Sequence, residues 1–246
     1  MTDELAGLTA LVTGGNAGIG RATVRELLDR GAQVVTIDLK VDDVPEGARG
    51  AAADVSDPDQ VRAAVEELLG GGRLDILVNN AGISFEGGIE DGSAEDWHRL
   101  WSVNVLGYVH VTRAVLPLLR KSRHASIVNV SSCTADTGVR DRALYSATKG
   151  AIKSMSLSMA RDLIAEGIRV NVVLPGTVDT PFMSELAGRA EDPAGRRAEY
   201  HARQPIGRMV APEEVAYAIA GLAGPRAAST VGTALTVDGG LGRLLL

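Results

Sequence analysis

The chain has 246 residues and a formal charge of −6, which argues against a nucleic-acid binder held by backbone phosphates. Its single cysteine, Cys133, excludes an internal disulfide and a cysteine-based zinc cluster. Hydrophobic residues make up 45% but aromatics only 3%, so the core must be aliphatic, as in a sheet covered by helices on both faces.

The start, Met1-Thr2-Asp3-Glu4, is acidic and lacks the form of a signal peptide. No apolar run reaches membrane-spanning length, so a soluble cytoplasmic protein is expected. His98, His110, His124 and His201 show no metal-ligand spacing, and no metal is expected.

Leu8 to Thr13 reads as a buried strand. It meets Gly14-Gly15-Asn16-Ala17-Gly18-Ile19-Gly20, and an amphipathic helix follows from Arg21 to Arg30. A glycine-rich turn between strand and helix offers close backbone approach and unpaired N–H groups to a pyrophosphate. The spacing Gly14, Gly18, Gly20 differs from the common G-x-G-x-x-G. Gln33 to Ile37 is a second strand, ending at Asp38. A carboxylate there accepts hydrogen bonds from the adenosine ribose hydroxyls and repels a 2′-phosphate, so NAD is favoured over NADP. Lys40 lies nearby and opposes that preference; Asn16 is neutral and adds no phosphate clamp.

Gly50 to Ala53 is a third strand, closed by Asp54-Val55. Asp57-Pro58 opens a helix whose apolar face is Val61, Ala64, Val65, Leu68 and Leu69. Leu74 to Val78 is a fourth strand, leading to Asn79-Asn80-Ala81-Gly82. One helical region runs from Trp97 through Asn104 to about Leu119. Ser126 to Val130 is a fifth strand, ending at Ser131-Ser132.

Tyr145 and Lys149 are four apart on the next helix, which extends to about Ala165. That spacing puts them on one face, and an ammonium beside a phenol favours the phenolate. The pair reads as acid–base machinery, with Ser132 aimed at it from a strand tip. Ala147, Ala151 and Met155 keep one stripe of the helix small enough for another helix to pack closely. Arg169 to Leu174 is a sixth strand, closed by Pro175-Gly176. From 179 to 208 the pattern becomes irregular, as expected of a substrate lid. Pro212-Glu213-Glu214 opens a last helix, and Thr233 to Val237 is a final strand before Asp238-Gly239-Gly240. With no linker or repeat, residues 1–246 read as one domain around a doubly wound parallel sheet.

Taken together, Thr13-Gly14-x-x-x-Gly18-x-Gly20, Asn79-Asn80-Ala81-Gly82, Asn104, Ser132, Tyr145-x-x-x-Lys149, Pro175-Gly176 and Asp238-Gly239-Gly240 resemble the short-chain dehydrogenase/reductase family over nearly the whole chain. The resemblance implies a Rossmann-like α/β fold with a seven-stranded sheet, a nicotinamide cofactor and a homo-oligomer, tetramer or dimer. It makes Tyr145 the general acid/base, with Lys149 lowering its pKa and holding the nicotinamide ribose. Ser132 orients the substrate oxygen, and Asn104 holds a water in a proton relay. The cofactor residues it implies are Gly14, Asn16, Gly18, Ile19, Gly20 and Asp38, with Asp54 and Val55 at the adenine and Asn80 on the adenosine side. Tyr145, Lys149, Pro175, Gly176, Val178 and Thr180 complete that set, the last two at the carboxamide.

Residues Asn171 to Pro181 and Ala202 to Arg208 are similar to the branch holding cytosolic (R)-3-hydroxybutyrate and 2-keto-3-deoxy-L-fuconate dehydrogenases. Arg142 matches a carboxylate-binding arginine of the former and is expected to hold a substrate carboxylate. The implied activity is NAD-dependent interconversion of a secondary alcohol and a ketone on a hydroxy acid or deoxy-sugar acid. The alternatives are a 3-oxoacyl thioester reductase and a non-catalytic dinucleotide-sensing protein on the same fold.

Overall fold

Residues 3–244 are described by a computed structural model. Seven strands form one parallel sheet: β1 Thr9–Thr13, β2 Gln33–Asp38, β3 Arg49–Ala52, β4 Ile76–Asn79, β5 Ser126–Val130, β6 Arg169–Pro175 and β7 Ala234–Val237. Their order is β3-β2-β1-β4-β5-β6-β7. Of the five inner strands, β4, β5 and β6 are buried throughout, while β3 and β7 at the edges are partly exposed. That gradient follows from position, because only inner strands are covered on both faces and both sides.

Side chains alternate across each strand and so feed two aliphatic layers. Leu11, Val35, Leu77 and Ile127 face one side. There they meet α2 (Pro58–Leu69), α4 (Gly107–Leu119) and α5 (Ala143–Leu163) through Val61, Leu68, Val111, Val115 and Leu163. Ala10, Val12, Val34, Val78 and Val128 face the other. They meet Val24 and Leu27 of α1 (Gly18–Asp29) and Val215 and Ile219 of α8 (Pro212–Ala223). Each fully buried aliphatic side chain contributes about 1.5–3 kcal/mol to holding the helices on the sheet.

Two expectations change. The helix through Asn104 is not uniform: α3 (Ala94–Trp101) passes through a wide π turn, Ser102–Leu106, before α4. The whole stretch Ala94–Leu119 is long and apolar enough to meet the bare criteria for a membrane span. Half of its apolar window is buried inside the protein, as befits a core helix. The segment 179–208 is not irregular but holds α6 (Pro181–Gly188) and α7 (Pro193–Ala202). Each starts with an N-cap and a proline at the first position, Thr180-Pro181 and Asp192-Pro193, a signal the dense glycines and charges obscured.

The sheet order reverses between β1 and β4. Ligands of such sheets bind in the crevice beyond the strand ends at that switch point. A cleft of about 800 Å³ opens there, lined by residues from Gly14 and Asp38 at one end to Tyr145 and Arg203 at the other.

Candidate active site

The turn after β1 is built for close backbone approach. Gly14 has φ +69°, and a Cβ on Gly20 would lie 1.9 Å from the Gly14 carbonyl oxygen. Helix α1 begins at Gly18 with Ala17 as its N-cap, and no side chain caps it. Its first N–H groups are therefore free for a ligand, with Ile19 beside them on the cleft wall. Asn80 holds the turn in place: its Nδ2 donates to the carbonyls of Thr13 (3.0 Å) and Gly14 (3.2 Å). Thr13 Oγ1 accepts in return from the N–H groups of Asn80 and Ala81, a role not read from the sequence.

Asp38 closes the far end. Its carboxylate accepts from the Asn16 N–H at 3.0 Å and the Leu39 N–H at 2.7 Å. Asn16 in turn donates to the Lys40 carbonyl, so its side chain ties the turn to the end of β2. A carboxylate offers about four lone-pair sites, so Asp38 keeps acceptor capacity for two ribose hydroxyls. Asp54 turns its carboxylate onto Ser56, leaving Val55 as the apolar wall. The Val55 carbonyl pairs with His110 Nδ1 at 3.1 Å. A glycine cradle, an uncapped helix start and an acid at the next strand end fit a dinucleotide.

The reacting end lies at the tip of β5. Ser131 Oγ donates to the Lys149 carbonyl at 2.7 Å and fastens α5 to the strand. Ser132 is buried, and its Oγ accepts from the Thr134 N–H at 3.2 Å. Lys149 is buried, its Nζ 3.0 Å from the Val130 carbonyl and 5.6 Å from the centre of the Tyr145 ring. Tyr108, missed from the sequence, donates to the same carbonyl at 3.0 Å.

Burial pushes the Lys149 ammonium down to about 8. The Tyr145 phenol goes the other way, to about 12, because burial outweighs the Arg142 charge and a hydrogen bond with Ser132. The expected depression by Lys149 is not found here. The ammonium lies over the ring and donates to the Val130 carbonyl. Cys133 is also driven up, to about 11, by burial first and the Asp238 charge second, which suits packing and not nucleophilic attack.

Asn104 sits in the π turn with its amide committed. Its Oδ1 accepts from the Ile83 N–H at 2.8 Å. Its Nδ2 donates to the Ile83 carbonyl at 2.9 Å and to Thr148 Oγ1 at 3.1 Å. It locks the loop after β4 against α5, and both of its side-chain donors are spent on that lock. A Cβ on Gly82 would lie 3.1 Å from its Oδ1.

Arg142 stands just ahead of α5, at the loop–helix junction. It is 8% exposed, and Nη1 donates to Ser84 Oγ and the Phe85 carbonyl, both at 3.2 Å. It still lines the cleft, together with Pro175, Gly176, Val178 and Thr180. Thr180 also caps α6 by accepting from the Met183 N–H at 3.3 Å. Phe182, Met183 and Arg203 of the 179–208 segment complete the wall and were not singled out in the sequence.

A family model described as enoyl-(acyl carrier protein) reductase matches residues 14–242. The chain is 39% identical to cis-4-hydroxycyclohexanecarboxylate dehydrogenase of Sinomonas cyclohexanicum, covering 98% of both. It superposes on ligand-free aldohexose dehydrogenase of Thermoplasma acidophilum with a TM-score of 0.93 at 33% identity, covering 100% of this chain and 98% of that one. It matches 3-ketoacyl-(acyl-carrier-protein) reductase of Brucella melitensis in complex with NADH with a TM-score of 0.88 at 33% identity, covering 97% and 99%. With the fold and cleft described above, these matches make the chain a member of the short-chain dehydrogenase/reductase family, NAD(P)-dependent oxidoreductases that act on CH–OH groups.

Proposed function

We propose that the protein oxidises a secondary alcohol bearing a carboxylate, a hydroxy acid or deoxy-sugar acid, with NAD in preference to NADP. The observation that carries the reading is the shared cleft, which has Asp38 at one end and Ser132, Tyr145, Lys149 and Arg142 at the other. The bound nicotinamide supplies the hydride chemistry. In its phenolate form Tyr145 takes the alcohol proton at Oη, and Ser132 Oγ orients the substrate oxygen. Lys149 supplies positive charge near the phenol and a donor for the nicotinamide ribose. Asn104 positions the loop of Gly82 against α5 and serves the proton relay through that placement.

Arg142 is assigned the substrate carboxylate through donors not used on Ser84 and Phe85, since a guanidinium has five. The hydroxycarboxylate named for the Sinomonas relative supports that class. Residues 179–208 act as a lid over the substrate within a single domain, because Phe182 and Met183 form its cleft wall. The reading extends to a cytoplasmic homo-oligomer, tetramer or dimer. Ala147 and Leu157 leave an exposed stripe on α5 for a second copy, and the one thiol, Cys133, is free and buried.

One rival has an observation of its own. The Brucella relative is by name a 3-ketoacyl-(acyl-carrier-protein) reductase, which favours a 3-oxoacyl thioester reductase. That relative is in complex with NADH, so Asp38 is compatible with both readings. The test is NAD reduction against matched alcohols with and without a carboxylate, beside acetoacetyl thioester reduction with NADH and with NADPH. Turnover confined to the carboxylates with NAD supports the proposal; thioester reduction with either cofactor and no turnover of the carboxylates replaces it.

A further inference from the structure

Gln204 lies just past the end of α7 and is 1% exposed. Its side-chain amide is spent on backbone groups. Oε1 accepts from the Thr177 N–H at 3.2 Å. Nε2 donates to the Thr177 carbonyl at 3.2 Å and to the Arg208 carbonyl at 2.8 Å. The amide thus brackets Thr177 as the backbone of a neighbouring strand would. Burial this deep is tolerated because its donors and its acceptor are paired.

Gly176 makes room for the bracket. A Cβ there would lie 2.5 Å from Gln204 Oε1 and 2.8 Å from the Asp238 Cα. Gly176 is not among the glycines of positive φ, so close approach and not backbone angle requires it. This gives the Pro175-Gly176 motif a physical reason: it lets a side chain from beyond α7 reach the backbone at the end of β6.

The strip that Gln204 holds, residues 177–180, leaves β6 and lines the cleft. It starts beside the tip of β5, where the Ser131 N–H donates to the Val173 carbonyl at 2.8 Å and Ser132 follows. It ends over the glycine turn, where a Cβ on Gly18 would lie 3.0 Å from Thr180 Cγ2. With pyrophosphate at the start of α1 and chemistry at Ser132, the nicotinamide half lies along this strip.

One edge of the strip is paired. The Val210 N–H donates to the Thr177 carbonyl at 2.9 Å, and the Asp179 N–H donates to the Val210 carbonyl at 2.8 Å. These bonds flank a parallel bridge between Val178 and Val210. Val178, between them, turns its own N–H and C=O to the opposite edge, where it lines the cleft. A donor and an acceptor on one residue are the complement of a carboxamide.

We propose that Gln204 is a positioning residue for the nicotinamide: by bracketing Thr177 it fixes the strip whose Val178 N–H and C=O meet the carboxamide. The inference rests on the nicotinamide cofactor of the family and not on the substrate class. Without the Gln204 amide, the Thr177 N–H loses its partner and the Thr177 carbonyl keeps only Val210. The strip is then held from one side at its first residue. The adenosine half is untouched, because Asp38 and the glycine turn belong to β2 and to the start of α1.

The test titrates the full chain with NADH and with ADP-ribose by calorimetry. ADP-ribose shares the adenosine and the pyrophosphate but lacks the nicotinamide, and no alcohol enters the comparison. Wild type should hold NADH more tightly than ADP-ribose. Gln204→Met keeps the side-chain length and removes its three hydrogen bonds. It should weaken NADH about tenfold and leave ADP-ribose unchanged. Gln204→Asn, one methylene too short to bracket Thr177, is the second variant and should move the same ratio. Circular dichroism confirms the fold of each. Equal weakening of both ligands overturns the proposal, because it marks a general structural role. So does an unchanged NADH affinity in both variants. A wild type that holds ADP-ribose as tightly as NADH overturns the premise that this strip grips the nicotinamide, and the proposal with it. The preference assigned to Asp38 acts on the adenosine half common to both ligands, so its failure leaves the ratio where it is.

Discussion

Replacing Lys149 by methionine should stabilise the protein while abolishing its turnover. Lys149 is 4% exposed, and burial lowers its pKa from 10.5 to about 8. The unfolded chain keeps the proton up to about 10.5, so between pH 8 and 10.5 the unfolded state binds more protons and stability rises with pH. Below pH 8 the folded state carries the full cost of the buried charge. At about 1.36 kcal/mol per pH unit, that cost is about 3 kcal/mol. Methionine removes it but loses one hydrogen bond, worth about 1 kcal/mol. The Val130 carbonyl is not orphaned, because Tyr108 still donates to it at 3.0 Å. The net gain at pH 7 is about 2 kcal/mol, or about 4–8 °C in Tm for a chain of this size. By pH 10 the wild-type cost has fallen to about 1 kcal/mol and the gain should vanish. Thermal unfolding of both proteins at pH 7 and pH 10 measures this. A variant less stable than wild type at pH 7, or a gain equal at both pH values, would refute the electrostatic reasoning.

Three further outcomes are expected. Asp38→Ala should weaken NAD binding about tenfold and bring NADP to comparable affinity, as measured by calorimetry, through loss of two charge-assisted hydrogen bonds and one repulsion. Arg142→Ala should raise KM for a carboxylate substrate about tenfold to a hundredfold, with steady-state kinetics on the neutral analogue as the control. Arg169 is buried and its guanidinium reaches the carbonyls of Leu222, Ala223, Gly224 and Thr230, where it caps the end of α8. Arg169→Ala should cost about 3 kcal/mol, seen as a lower denaturation midpoint with unchanged cofactor affinity.

The sheet was legible because each strand is a short aliphatic run bounded by glycine, proline or aspartate. The helix starts with Asp or Thr before proline were equally plain at Asp57-Pro58 but went unread at Thr180-Pro181 and Asp192-Pro193. There the helices are short, 8 and 10 residues, and the arginines and glycines among them mask the helical period. The π turn at Asn104 had no sequence signal, because it depends on Ile83 and Thr148 arriving from other elements. Tyr108 was invisible for the same reason: its partner is 22 residues away in the chain. The Tyr145–Lys149 spacing correctly placed both groups on α5. It could not supply the sign of the phenol's shift, which burial decides.

The central claim is that Tyr145 accepts the alcohol proton in a cleft that binds NAD. The most direct measurement is NADH formation by wild type and Tyr145→Phe at saturating NAD, with NAD affinity determined separately. The account predicts a loss of about 10²–10⁴-fold in kcat/KM with NAD affinity nearly unchanged. A variant that retains turnover within a few-fold of wild type would contradict it.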